Sequence, residues 1–268
     1  MQLSMLALER LRRESAVWIT VQSTQGSVPR DTGTWMAVFA REVIGTIGGG
    51  RVEFEAIQRA RGYLAAGTLV DETQRYALGP SLGQCCGGVM HLRFESVDAA
   101  QAPMLRTRLQ GNLAPVAVFG GGHVGHALAR LLGTLPFALT WIDSRDGIFP
   151  ADLPPGVTCE HSDPVQDAVR DLAPGSAVLI MSFSHAEDLE ILARCLQRQR
   201  AEADLGAIGL IGSRTKWATF RHRLEARGFR DDELDRVQCP IGLPGIRGKE
   251  PEVIAVAVAA RLLQDRIV

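Results

Sequence analysis

A two-part α/β chain is predicted from the 268 residues: a small α+β domain at the amino end, followed by a doubly wound parallel sheet. Before about residue 98, short apolar runs are joined by links as brief as Arg41-Glu42, which suit antiparallel strands and not parallel ones. From Pro115 onward, short apolar runs alternate with longer amphipathic stretches, the rhythm of strand-helix-strand crossovers. Between the two lies a segment ending in the polar run Gln110-Gly111-Asn112, which reads as a connection. The expected boundaries are 1–98 for the first domain, 99–114 for the linker and 115–268 for the second domain.

The opening MQLSMLALERLRRESAVWITV reads as a helix running into a strand, because Glu9 and Arg10 fall where a signal peptide needs its apolar core. Strands are expected over 16–23, 35–40 and 43–47, a helix over 52–66, and two more strands over 74–78 and 89–95. A short helical piece follows within 98–114. The second half reads as strand 116–119, helix 123–132, strand 138–142, strand 157–160 and helix 164–172. Strand 177–181, helix 186–200, strand 207–211, helix 213–226 and an alanine- and valine-rich helix over 250–264 complete it.

Composition narrows the function classes. A net charge of -1 and an apolar fraction of 46% indicate neither a general nucleic-acid surface nor disorder. The apolar run 253–263 is too short to span a bilayer and is flanked by Lys249, Glu250, Arg261 and Asp265, so a soluble, cytoplasmic chain with no membrane partner is expected. Five cysteines, an odd number without CxxC spacing, fit reduced thiols better than a disulfide framework or a zinc site. Only Lys216 and Lys249 among the 29 basic residues are lysines; the remaining arginines suit phosphate and carboxylate ligands.

The segment Gly83-Gln84-Cys85-Cys86-Gly87-Gly88 sets two adjacent thiols among glycines. Neighbouring Cα atoms lie about 3.8 Å apart, short of ordinary disulfide separations, so a bond between the two would be strained. One reading makes them small strand residues, the other a binder of something soft; the flanking glycines, which let backbone approach a ligand, favour the second. The second domain opens with Val116-Ala117-Val118-Phe119 and then Gly120-Gly121-Gly122-His123-Val124-Gly125, a GxGxxG between strand and helix. The strand 138–142 then ends at Asp143, the context the Rossmann fingerprint requires of turn glycines, a helix amino end for a phosphate and an acid for a ribose; the alternatives are a Rossmann-type shell whose glycines serve only the turn, and, for a ligand, a dinucleotide or a single phosphate monoester.

Two further strand ends point to the same rim. His185 and Asp188 begin a helix after strand 177–181, and Ser213 and Arg214 begin another after 207–211; each pair serves either the helix end or a ligand. Gly48-Gly49-Gly50-Arg51 is a second anion-type loop, unless Glu53 and Glu55 satisfy that turn themselves. The loop Gly26-Ser27-Val28-Pro29-Arg30 ends on a cation and can line a cleft. Cys159, Cys195 and Cys239 are assigned to packing. No Ser/His/Asp order, zinc-ligand set or Walker loop emerges.

Taken together, GQCCGG, GGGHVGHALARLL, GLIGSRTKW and CPIGLPGIRGKEPEVIAVAVAARLL resemble the signatures of the xanthine dehydrogenase accessory proteins, within the XdhC/CoxI group of molybdenum cofactor chaperones. Ser184 before His185 departs from relatives that carry threonine there, though a hydroxyl is kept. The resemblance implies a cytoplasmic homodimer, an accessory and insertion protein of a group not known as dehydrogenases, that carries molybdenum cofactor as cargo across its interdomain cleft. It implies partnership with a cysteine desulfurase, with cofactor biosynthesis proteins and with apo xanthine dehydrogenase. On that pattern Cys85 and Cys86 face the molybdenum end, with Cys86 as the metal-side contact. Gly120, Gly121, Gly122, His123 and Gly125 take the phosphate, and Asp143, His185, Asp188, Ser213 and Arg214 surround the pterin or nucleotide edge. The rival expectation is an NAD(P)-dependent oxidoreductase in which Asp143 reads a ribose and the cysteines are redox-active.

Overall fold

The computed structural model describes residues 2–78, 87–111, 113–154 and 156–266. It falls into two compact units, Gln2–Gly111 and Asn112–Val268.

The first unit runs α1 (Gln2–Leu11), β1 (Ala16–Gln25), β2 (Trp35–Val38), β3 (Val43–Gly45), α2 (Gly50–Ala66), β4 (Asp71–Ala77), β5 (Val89–Val97) and α3 (Ala102–Gln110). Its five strands form an antiparallel sheet in the order β3-β2-β1-β5-β4, with β1 central. Because side chains alternate across a strand, β1 feeds two cores. Val17, Ile19 and Val21 meet α2 through its helical stripe Val52, Ala56 and Ala60, whereas Ala16 and Trp18 pack with α1 and Leu105 of α3. The edge strand β4 is half-buried along one face only, as its alternating sequence DETQRYA requires.

The second unit runs β6 (Ala114–Phe119), α4 (His123–Leu132), β7 (Phe137–Asp143), β8 (Val157–His161), a 3-10 segment (Val165–Asp171), β9 (Ala177–Ile180), α5 (His185–Glu202), β10 (Ile208–Leu210), α6 (Arg214–Glu225), α7 (Asp231–Leu234), β11 (Val237–Gln238) and α8 (Pro251–Arg266). Its six strands are parallel, in the order β11-β10-β9-β6-β7-β8. Val116, Val118, Leu139 and Trp141 point to the side covered by α4 and α8; Ala117, Phe119, Ile142, Val178 and Ile180 point to the side of α5, α6 and the 3-10 segment. Burial on both faces explains why these strands read as continuous apolar runs. The chain leaves β6 in one direction and returns at β9 in the other, so the helices that follow these two paired neighbours, α4 and α5, lie on opposite faces, which makes the carboxyl ends of β6 and β9 the switch point of the sheet.

The residues expected to form a helix over 164–172 adopt the 3-10 geometry instead. Arg198, 9% exposed, reaches their carbonyls, its Nη1 donating to Val169 O at 2.7 Å and Nη2 to Leu172 O at 2.9 Å. Its Nε and Nη2 also meet the Asp204 carboxylate, at 2.9 and 2.6 Å. The guanidinium so placed satisfies the carbonyls at the end of the segment, which have no partner within it.

Candidate functional site

The turn from β6 into α4 carries four glycines, and three of them, Gly120, Gly122 and Gly125, meet different demands. Gly120 has φ +128°, and a Cβ there would sit 2.0 Å from Met181 O. At Gly125, a Cβ would sit 2.0 Å from Gly120 O, so this glycine lets α4 press onto the strand. Gly122 differs: its φ of -77° suits any residue, and a Cβ there meets no described atom within 4 Å. Backbone geometry and packing therefore do not demand glycine at 122; what its missing side chain leaves is space at the head of α4. There the amides of His123, Val124 and Gly125 open the helix ahead of its first intrahelical bond, from His126 N to Gly122 O.

Behind this loop stands Asp143, only 2% exposed. Gly121 N donates to its Oδ2 at 2.5 Å, Arg145 N and Nε donate to Oδ1 at 2.8 and 2.9 Å, and Arg145 Nη2 donates to Oδ2 at 2.9 Å. Burial works against the charge, but the bonds from the Arg145 side chain and amide and from Gly121 prevail and hold the carboxyl below its ordinary value. With four donors satisfied internally, the carboxylate braces the loop, and a ribose hydroxyl must displace Arg145 to reach it.

The loop after β9 closes the other side. Asp188, also 2% exposed, accepts Ser182 N at 2.8 Å and Ser182 Oγ at 2.7 Å through Oδ1. Lys216 Nζ donates to Asp188 Oδ2 at 2.6 Å and to Ile211 O at 2.8 Å, tying the end of β10 to the end of β9. Ser184 caps α5 by accepting Glu187 N at 3.2 Å, and Glu187 in turn accepts Ser144 Oγ at 2.6 Å. His185 lies exposed at the first turn of α5, its ring edge-on to Phe220 with centroids 6.2 Å apart. Ser213 caps α6 by accepting Lys216 N at 3.1 Å, and Arg214 is exposed beside it. Gly120–Gly122, His185, Ser213 and Arg214 are thus gathered at the carboxyl ends of the strands, while Asp143 and Asp188 are buried beneath that rim and act through the loops they hold. Lys216, Arg145, Ser144 and Phe183 belong to the same rim and were not singled out from sequence. Lys216 carried one available signal, being one of only two lysines in the chain.

Cys85 and Cys86 lie outside the described residues. Their flanks are fixed at one end of the first sheet: Leu78 N donates to Gly88 O at 2.8 Å and Gly88 N to Ser27 O at 3.1 Å. A Cβ on Gly88 would lie 2.5 Å from both Gln25 O and Ser27 O, so the Gly26–Arg30 loop seats this glycine directly. The neighbouring Gly48–Gly50 loop is filled by the chain itself, because Glu53 Oε2 accepts Ile47 N at 2.9 Å, Gly49 N at 3.1 Å and Thr46 Oγ1 at 2.6 Å. That settles the alternative raised above in favour of the self-satisfied turn. Among the described residues no His, Cys, Asp and Glu cluster of metal-binding geometry occurs, and no helix is long and apolar enough to cross a membrane.

Cavities alone would mislead. A cavity of about 350 Å³ is lined by Asp167, Arg170, Arg194 and Arg198 around the carboxyl half of α5, at the amino ends of the strands. Its arginines are already ion-paired, Arg170 with Asp171, Arg194 with Asp167 and Arg198 with Asp204, whereas at the rim the amides of His123, Val124 and Gly125 precede the first intrahelical bond of α4.

Residues 116–262, more than half of the chain, match the family model described as the XdhC Rossmann domain, and residues 10–77 match that of the XdhC and CoxI family. The chain belongs to the XdhC and CoxI family. An Escherichia coli K12 relative, described as the uncharacterized protein YqeB, is 28% identical over 254 residues; these cover 91% of this chain and 42% of that protein, so the chain spans less than half of the relative's length. A solved structure described as a xanthine dehydrogenase from Bacillus halodurans superposes with a TM-score of 0.77 over 100% of this chain and 96% of that one. At 20% identity this likeness establishes a shared fold. The XdhC Rossmann match contains the whole rim, from Gly120 to Lys216, and Cys239 besides.

Proposed function

We propose that this XdhC-family chain is a molybdenum cofactor chaperone in xanthine dehydrogenase maturation, which receives the cofactor, shelters it during sulfuration by a cysteine desulfurase and passes it to the apoenzyme. The observation that carries the reading is Gly122, a glycine at the head of α4 that neither φ nor packing requires, set at the switch point of a doubly wound sheet. A phosphate monoester fits that opening, and the cofactor presents one. Its opposite end is a soft metal-dithiolene, and the thiols Cys85 and Cys86 are the chain's matching soft donors. Family membership supports the biological setting, and the xanthine dehydrogenase description of the structural relative accords with it. In this reading the cofactor is cargo and the chain's own residues bind and orient it, with Cys86 toward the metal end, the Gly120–Gly125 loop at the phosphate, and His185, Ser213 and Arg214 along the rim. The internal saturation of Asp143 weighs against the dehydrogenase alternative, whose ribose needs that carboxylate.

Anaerobic purification followed by mass spectrometry of the bound species tests this. Wild type is expected to retain a molybdopterin species and Cys86→Ala to lose it with its fold intact; tight retention of a nicotinamide dinucleotide without molybdopterin would overturn the reading.

A further inference from the structure

Phe183 is 66% exposed, yet it stands in a loop fastened on both sides. Ser182 before it is bound through amide and hydroxyl to Asp188, and Ser184 after it caps α5. The Asp188–Lys216 ion pair beneath is itself nearly sealed from water, at 3% and 12% side-chain exposure. Exposure alone is common for single apolar side chains; what sets Phe183 apart is that a loop anchored on both sides presents its ring to solvent beside the glycine loop, where covering the ring would gain the free energy of its burial.

A closed circuit of contacts shows what the ring faces. A Cβ on Gly120 would touch Ser182 Cα at 3.1 Å; Gly121 bonds to Asp143; Asp143 bonds to Arg145; and the Arg145 guanidinium carbon lies 4.7 Å from the centroid of Phe183. The loop that carries Phe183 thus packs against the glycine loop at Gly120, two residues before Gly122, with Arg145 against the phenylalanine ring. Asp143 engages Arg145 through Nε and Nη2, which fixes the guanidinium plane and leaves Nη1 outside that grip.

We infer that Phe183, backed by Arg145, is the stacking platform for the planar heterocycle of a phosphorylated ligand whose phosphate lies at the Gly122 opening. The inference rests on the phosphate site assigned above and adds the recognition of the ring. Pterins and nucleobases share the required chemistry, a flat π-system joined to an anionic phosphate, and stacking of such a ring on an aromatic side chain is worth about 5- to 150-fold in affinity.

Calorimetric binding of AMP, 7,8-dihydroneopterin monophosphate and inorganic phosphate to the full chain tests the assignment, with Phe183→Ala and Phe183→Tyr compared. At least one ring-bearing probe is expected to bind wild type more tightly than inorganic phosphate. Phe183→Ala should weaken that probe about 5- to 150-fold, leave inorganic phosphate unchanged, and keep the wild-type melting temperature; Phe183→Tyr should restore the loss. Equal affinity of ring-bearing and ring-free probes, equal loss of both in Phe183→Ala, or binding of none to wild type would overturn it. If AMP alone shows the effect, the stacking platform stands and the pterin cargo fails; if the molybdopterin species is retained but indifferent to Phe183→Ala, the cargo stands and the platform fails.

Discussion

Asp143 holds the amide of Gly121 at 2.5 Å, and so a carboxylate at the end of one strand sets the shape of the glycine loop at the end of its neighbour. All four bonds to this carboxylate come from donors. Asp143→Asn, though isosteric, turns an NH₂ group toward two of them. The expected cost is about 2–3 kcal/mol, read as a lower denaturation midpoint at unchanged m-value in urea unfolding of the full chain.

Acid should act on the second unit through the same kind of bond. Asp143 is held below its ordinary 3.8, and Glu233 falls from 4.5 to about 2 because the Arg200 side chain and the Arg230 amide bond to it. Both carboxyls have folded values below their unfolded ones, so their stabilisation is complete above about pH 4.5 and fades as the pH falls through the folded values. Thermal midpoints are expected to be nearly flat from pH 7 to 5 and to drop between pH 4.5 and 2. Glu233→Gln should lower the plateau and shallow that drop.

Gly122 and Gly125 separate stability from binding. Gly125→Ala drives a methyl to 2.0 Å from a backbone carbonyl and should cost about 3 kcal/mol or more, since neither atom can withdraw. Gly122→Ala meets open space and loses only the preference of an N-cap for glycine over alanine, about 1 kcal/mol or less. Its methyl would stand where the phosphate is proposed, so retention of the molybdopterin species should fall tenfold or more. A Gly122→Ala protein that kept its cargo would remove the main support for the phosphate assignment.

Much of this architecture is legible in the chain because it is governed by periodicity. Val116 and Val118 alternate with Ala117 and Phe119 between two cores, and that two-sided burial is what a continuous apolar run encodes. GxGxxG marks the turn because Gly120 and Gly125 answer local steric demands. The rest depends on meetings that no local pattern records. Asp188 and Lys216 are 28 residues apart and come together because β9 and β10 are parallel neighbours. Arg198, 29 residues further on in α5, meets the carbonyl of Val169 in the 3-10 segment, and β11, only two residues long, leaves no periodic trace. Asp143 read as a ribose ligand for the same reason: the sequence displays the acid but hides the guanidinium two residues later folding back on it.

The Lys216–Asp188 pair should prove strongly coupled. Lys216→Met leaves a buried carboxylate without its cation and should cost about 3–5 kcal/mol. Adding Asp188→Asn removes the stranded charge, so the double variant should be more stable than the sum of the singles predicts, by about 1–3 kcal/mol in a double-mutant cycle. Additive losses would show that the pair does not brace the loop around Phe183.

Thiol chemistry should sort the five cysteines by position. Cys195 is fully buried and burial pushes its thiol up to about 12, so native labelling should be negligible. Cys159 and Cys239 are also raised, in each case first by desolvation, and should react slowly. Lys216 draws the Cys239 thiol back down while Asp188 pushes it up, so the ion pair leaves Cys239 little net activation. Brief iodoacetamide treatment of native protein, followed by peptide mapping, is therefore expected to modify Cys85 or Cys86 first, and bound cofactor should protect them. Cys86→Ala should remove most of the fast phase if that thiol is the metal-side contact. Fast labelling that centred on Cys239 instead would move the reactive sulfur from the glycine-flanked segment to the strand-end rim of the second unit.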